Sequence, residues 1–244
     1  MRGFLAVFRR ELKAYAVTPV AYVFVVVFLV LSAVFTFYVG NFFSRGQADL
    51  EPFFQFHPWL YLVLVPAASM RLWTEERRSG TLELLLTLPI GRWSAMLAKF
   101  FAAWLFVGLA LALTFPMWLT VNYLGHPDNG AILVEYLGSL LLAGAMLSIG
   151  TCLSAATRNQ VVAYILTVAV SFLYLVIGEP IVQDVLAHVL PILALNKLAE
   201  FSFLAHFQAI QQGVLDLGDI VFFALTILAW LTAGGVMLGM IRAD

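Results

Sequence analysis

Glu75-Glu76-Arg77-Arg78-Ser79-Gly80-Thr81-Leu82-Glu83-Leu84-Leu85-Leu86-Thr87-Leu88-Pro89-Ile90 is the densest run of charge in a chain of 244 residues that is 63% hydrophobic and only 11% charged. Long apolar runs lie on both sides of it, so it reads as a loop held at a membrane face. Its local chemistry predicts a helix exit, a turn and a second short helix. Ser79, Gly80 and Thr81 supply turn and N-cap chemistry. Glu83 falls in the first helical turn, where the helix dipole favours an anion, and Pro89 stops the helix. The face formed by Leu82, Leu84, Leu85, Leu86 and Leu88 is too apolar for water and needs the bilayer surface or a protein partner.

The rest of the chain supports a lipid solvent. With 21 Phe, 6 Trp and a mean hydropathy of +0.97, a soluble domain of this size could not bury its apolar surface. The net charge of −1 says little, but the distribution of the charges says more. The single cysteine, Cys152, lies in an apolar run and excludes an internal disulfide framework. The basic start, Met1–Lys13, is too long and amphipathic for a signal-peptide n-region, and no small-residue cleavage site follows it, so no cleavable signal is expected.

Residues 1–17 predict an interfacial helix. Phe4, Leu5, Phe8, Leu12 and Tyr15 share one face, and Arg2, Arg9, Arg10 and Lys13 gather on the other, suited to anionic headgroups. A simple basic topogenic tail is the plainer alternative. Residues 18–244 then form one all-α transmembrane domain. Six spans are expected at about 20–43, 53–73, 93–123, 132–156, 161–178 and 220–241. Pro58 and Pro66 break or tilt the second, and Pro116 kinks the third. Gly138, Gly144 and Gly150, with Ala143, Ala145 and Ser148, let the fourth approach its neighbours closely. Residues 181–219 are too apolar for a free loop and too interrupted for two spans, so short helices dipping into the outer leaflet are expected.

Orientation follows from the basic residues. With the N-terminus inside, Arg2, Arg9, Arg10, Lys13, Arg71, Arg77, Arg78, Arg92, Lys99, Arg158 and Arg242 lie on or near the cytoplasmic side. Only Arg45 and Lys197 fall outside. The expected result is a multi-pass membrane protein with both termini cytoplasmic.

The charged stretch resembles the cytoplasmic coupling loop of ABC-2 transporter permeases. The pattern is an acidic pair, a basic pair, Gly-Thr, a Glu two positions on, a leucine run and a proline. In that family the short helix docks into a cleft of a separate ATPase. The resemblance therefore implies ATPase-coupling roles for Gly80, Thr81, Glu83, Leu84, Leu85, Leu88 and Pro89, with Glu83 fixing the docking. Loop bracing falls to Glu75, Glu76, Arg77 and Arg78, of which Glu76 and Arg78 would reach the N-terminal helix; a role as solvated topogenic charges is as good an account of those two. Val65-Pro66-Ala67, Met70-Arg71-Leu72, Leu124-Gly125-His126-Pro127-Asp128, Thr157-Arg158-Asn159-Gln160, His206-Phe207 and Gly213-Val214-Leu215-Asp216-Leu217 are similar to the gliding-motility-associated branch. A permease for nitrous-oxide reductase maturation belongs to a neighbouring branch.

No Gly-x-x-x-x-Gly-Lys-Ser/Thr loop occurs, so ATP and Mg are expected in a partner ATPase and no cofactor in this chain. One coupling helix per chain against two ATPase clefts implies two ATPase copies and a second permease copy or paralogue. A periplasmic or membrane-anchored accessory protein is a further candidate partner, and nucleic acid is not. No catalytic or metal site is expected: His57, His126, His188 and His206 are scattered and read as interfacial, and no Gly-x-Ser-x-Gly supports Ser148, Ser154 or Ser171 as a nucleophile. Glu135 and Glu179 sit at outer span ends, within reach of water. The expected function is ATP-driven export by a permease dimer. A mechanical transmitter to a periplasmic partner, and a stand-alone carrier or membrane enzyme, are the alternatives.

Overall fold

The computed structural model describes residues 2–82, 91–188 and 190–241, and all of the secondary structure among them is helical. Helix α1, Arg2–Val17, ends before Pro19, which opens α2, Pro19–Val34. Helix α2 continues through a π-helical turn, Phe35–Val39, towards α3, Phe42–Arg45. Three pieces follow: α4, Glu51–Phe54, α5, His57–Ser69, and α6, Arg71–Ser79. After the charged loop come α7, Arg92–Ala112, and α8, Phe115–Leu124, with Pro116 in the first turn of the latter. Helices α9, Asn129–Ala156, and α10, Gln160–Val176, complete the central part. Three short helices, α11 (Pro180–Ala187), α12 (Ile192–Ala199) and α13 (Phe203–Gln211), lead to α14, Leu217–Ile241.

Polar side chains cap three of these helix starts. The Asp128 carboxylate accepts from the backbone N–H of Gly130 and Ala131, at 2.8 and 3.2 Å, and starts α9. Asn159 does the same for α10 through Val161 and Val162. Ser202 caps α13 through Ala205.

Among the described residues, four helical rods are long and apolar enough to cross a membrane: Pro19–Arg45, Arg92–Leu124, Asn129–Ala156 and Leu217–Met240. Gln160–Val176 with Pro180–Ala187, bent by 87°, makes a fifth if the pair counts as one span. The expected second span is not among them. Pro52 and Pro58 restart the helix at α4 and α5, Pro66 lies inside α5, and His57 and Arg71 dilute the apolar run. Residues 181–219, where short helices are expected, carry α11, α12 and α13.

Helix α9 is the hub, packing against α5, α6, α7, α10, α13 and α14. Two thirds (67%) of its most apolar window is buried, against 28% for the first and last rods, which therefore form the periphery. Close approach depends on the small residues expected in the fourth span. A Cβ on Gly144 would meet the Trp104 ring at 2.9 Å, and one on Gly138 would meet Ile210 at 2.5 Å. Two expected placements differ. His57 is completely buried, its Nδ1 2.7 Å from Ser139 Oγ and its ring packed against Phe53 and Phe54. Glu135 is buried one turn from Ser139, because that register of α9 faces the core and not the outer surface.

Candidate functional site

The charged loop leaves the membrane domain through α6, and the chemistry beneath α6 is specific. Glu76 points away from the loop surface into the body of the protein. Lys99, on α7, donates to Glu76 Oε1 at 2.5 Å and to Glu11 Oε1 at 3.1 Å. Arg10 of α1 donates to the same two carboxylates, at 2.6 Å to Glu11 and 3.3 Å to Glu76. Two cations and two carboxylates thus close a neutral network that joins α1, α6 and α7.

Burial makes this network consequential. The Lys99 side chain is only 2% exposed, and its ammonium stands 5.1 Å over the ring of Trp73, itself fully buried. An unpaired ammonium could not persist there. Arg10 lies at the outer edge. Burial opposes its charge, but the hydrogen bonds and proximity of Glu11 and Glu76 outweigh that and raise its pKa above the usual guanidinium value.

Helix α1 is more than a surface strip. Val7 is buried, the Tyr15 hydroxyl donates to the Ala68 carbonyl at 3.0 Å, and the Tyr15 ring stacks on Phe106 at 4.7 Å. Leu5, expected on the apolar side, is 45% exposed. The packed face runs through Val7 and Glu11, rotated from the one the wheel of large apolar residues suggests.

The far side of α6 has its own anchor. Arg77 Nη1 donates to the Ala155 carbonyl at 2.6 Å. That carbonyl belongs to the last turn of α9, where the helix dipole favours a cation. Burial, and then the nearby Arg158, lower the pKa of Arg77. Glu75 and Arg78 are exposed and enter no ion pair among the described residues. Gly80, at φ 71°, ends α6 in the left-handed region, and the Thr81 hydroxyl lies 2.8 Å from Ser79 Oγ. Glu83, Leu84, Leu85, Leu88 and Pro89 lie outside the described residues.

Glu11 and Lys99 are the residues that sequence reasoning missed. Both carried a signal. Glu11 stands four residues after Val7 and four before Tyr15, inside the packed face. Lys99 interrupts an apolar span, where an ionisable group calls for a partner.

Long apolar helices around a small-residue hub, with a charged loop pinned to an amphipathic first helix, define a multi-pass membrane protein. Residues 5–242 match the family model described as ABC-2 family transporter protein, and the chain belongs to that family. It is the membrane subunit of an ABC transporter, not itself the catalytic one, and the family implies an ATPase partner. No curated protein matches the chain.

Proposed function

We propose that this chain receives the closing motion of two cytoplasmic ATPase subunits, which bind ATP and Mg, through the loop that follows α6. It converts that motion into export across a bacterial inner membrane. The observation that carries this reading is the neutral network of Arg10, Glu11, Glu76 and Lys99. A push on the loop reaches α6, and α6 is tied to α1 and α7 on one side and to the end of α9 on the other. Such a loop cannot move alone.

In this reading the chain crosses the membrane six times with both termini cytoplasmic, and α1 lies at the cytoplasmic interface. The apolar stretch from about Phe53 to Trp73, carried by α4, α5 and the start of α6, supplies the second crossing. The coupling helix is the one expected between the Ser79-Gly80-Thr81 turn and Pro89, with Glu83 fixing the docking and Leu84, Leu85 and Leu88 filling the ATPase cleft. Two copies of the chain, or one copy and a paralogue, enclose the path. The branch it fits best is the gliding-motility-associated one.

Glu83→Ala and Glu83→Arg are expected to abolish stimulation of the partner ATPase while leaving membrane insertion intact. The check is a detergent pull-down of the tagged chain from its native membrane, with an ATPase assay on the complex. Normal stimulation in both variants would remove Glu83 from the docking site. Recovery of the chain with no nucleotide-binding partner would overturn the coupling reading and favour a stand-alone carrier.

A further inference from the structure

Between α2 and the α5–α6 rod, with α1 and α7 beneath, lies a cleft of about 530 Å³. This is within the usual size of a ligand site, about 300–1,000 Å³. Its chemistry is sorted along its length. Along the rod the lining runs from Leu64 and Ala67 to Arg71, Glu75 and Ser79, a rise of about 22 Å at 1.5 Å per residue. The change from apolar to charged falls at Arg71. On the opposite wall, Phe24 and Val27 of α2 face the apolar half. A water-soluble ligand has no use for such a gradient, whereas an amphiphile does.

The charges narrow the choice. Three cations and three carboxylates line the cleft, and four of them are consumed by the network around Lys99. The remaining two are Arg71 and Glu75. Among the described residues, Arg71 Nε is buried without a hydrogen-bond partner and neither side chain enters an ion pair. Four apart on one helix, they are neighbours on its surface, yet they do not bridge each other. A guanidinium suits a phosphate, and a carboxylate beside it suits an ammonium.

We propose that this cleft binds one amine-headed, zwitterionic phospholipid from the leaflet on the α1 side. Its phosphate sits on Arg71, its ammonium at Glu75, and an acyl chain lies against Phe24, Val27 and Leu64. A wedge in that position sets the spacing between α2 and the rod. The proposal needs only the membrane character of the chain. It stands or falls independently of ATPase coupling.

The test is native mass spectrometry of the purified full chain, offered phosphatidylethanolamine, phosphatidylcholine, phosphatidylglycerol or lipid-free glycerophosphoethanolamine. Wild type is expected to retain phosphatidylethanolamine over the others, since the choline headgroup has no N–H to donate and the glycerol headgroup has no cation. Arg71→Gln should weaken retention by about tenfold, the worth of one charge-assisted hydrogen bond. Glu75→Gln should erase the preference for an amine over a glycerol headgroup. Ala67→Trp should fill the cleft and displace the lipid with both charges in place. Glu75 is exposed and Ala67 only half-buried, so at least two of the variants keep the fold, checked by gel filtration and circular dichroism. Equal retention of all headgroups would overturn the proposal, as would wild-type binding in all three variants. Binding of the headgroup fragment as tight as that of the lipid would overturn it in favour of a soluble phosphate compound.

Discussion

Lys99→Met is expected to destabilise the folded chain by about 3–5 kcal/mol, the usual cost of removing one partner from a buried ion network. The substitution keeps the length and packing of the side chain and deletes only the ammonium. Glu11 and Glu76, 13% and 15% exposed, would then face each other with Arg10 as their only cation. Arg10 is 55% exposed and reaches Glu76 at 3.3 Å, so it cannot replace a buried ammonium at 2.5 Å. Thermal unfolding in detergent should show the midpoint falling by on the order of 10 °C. Adding Glu11→Gln and Glu76→Gln to Lys99→Met should restore most of the loss, because no buried charge is then left unpaired and Arg10, 55% exposed, keeps its water. An unchanged midpoint in the single variant would show that the network is hydrated and holds nothing. The triple variant also separates two roles. If the charges carry motion from the loop as well as hold α6 in place, stability returns while ATPase stimulation stays low.

Much of the helical layout was legible because each boundary has a local cause. Asp128, Asn159 and Ser202 cap helices in polar turns that interrupt apolar runs, and Gly80 closes α6 with a positive φ. The residues from Phe53 to Trp73 were harder. Hydropathy averages over a window, while Pro52 and Pro58 act on single hydrogen bonds and open α4 and α5 as separate helices, and Pro66 lies inside α5. The site was legible on one side only. Glu76 and Arg77 stand out as charges, but their partners lie 23 to 78 positions away in sequence: Lys99 on α7 and Arg10 on α1, and the Ala155 carbonyl on α9. Charge patterning along a chain reports how much charge a face carries, not what it meets. The same limit misplaced His57. A histidine near a span end suits an interface, and only tertiary packing reveals that Phe53, Phe54 and Ser139 enclose it.

Gly150→Ala is expected to disrupt the packing of α9 despite being favourable for the helix itself. Replacing an interior helical glycine with alanine normally stabilises a helix by up to about 1 kcal/mol. Here the new Cβ would lie 1.9 Å from Ser69 Oγ, 2.6 Å from Ser69 Cβ and 3.1 Å from Thr167 Cγ2. Neither neighbour is free to turn away. Ser69 is fully buried and donates to the Pro66 carbonyl, and Thr167 is fully buried and donates to the Ala163 carbonyl at 2.7 Å. Relief therefore requires α5 or α10 to back away from α9. Overpacking of this kind costs about 1–3 kcal/mol, which exceeds the helix-propensity gain, and Gly150→Leu should cost more. The rescue is specific: Ser69→Gly removes both of the closest atoms and should return Gly150→Ala to near the wild-type midpoint. Gly218→Ala is the matching control, since its nearest contact would be an ordinary 3.7 Å to Asp216. If Gly150→Ala unfolds no earlier than Gly218→Ala, α5, α9 and α10 do not meet at van der Waals contact. In the proposed coupling, tight packing there would let a displacement of α6, continuous with α5, move α9 instead of being absorbed in slack.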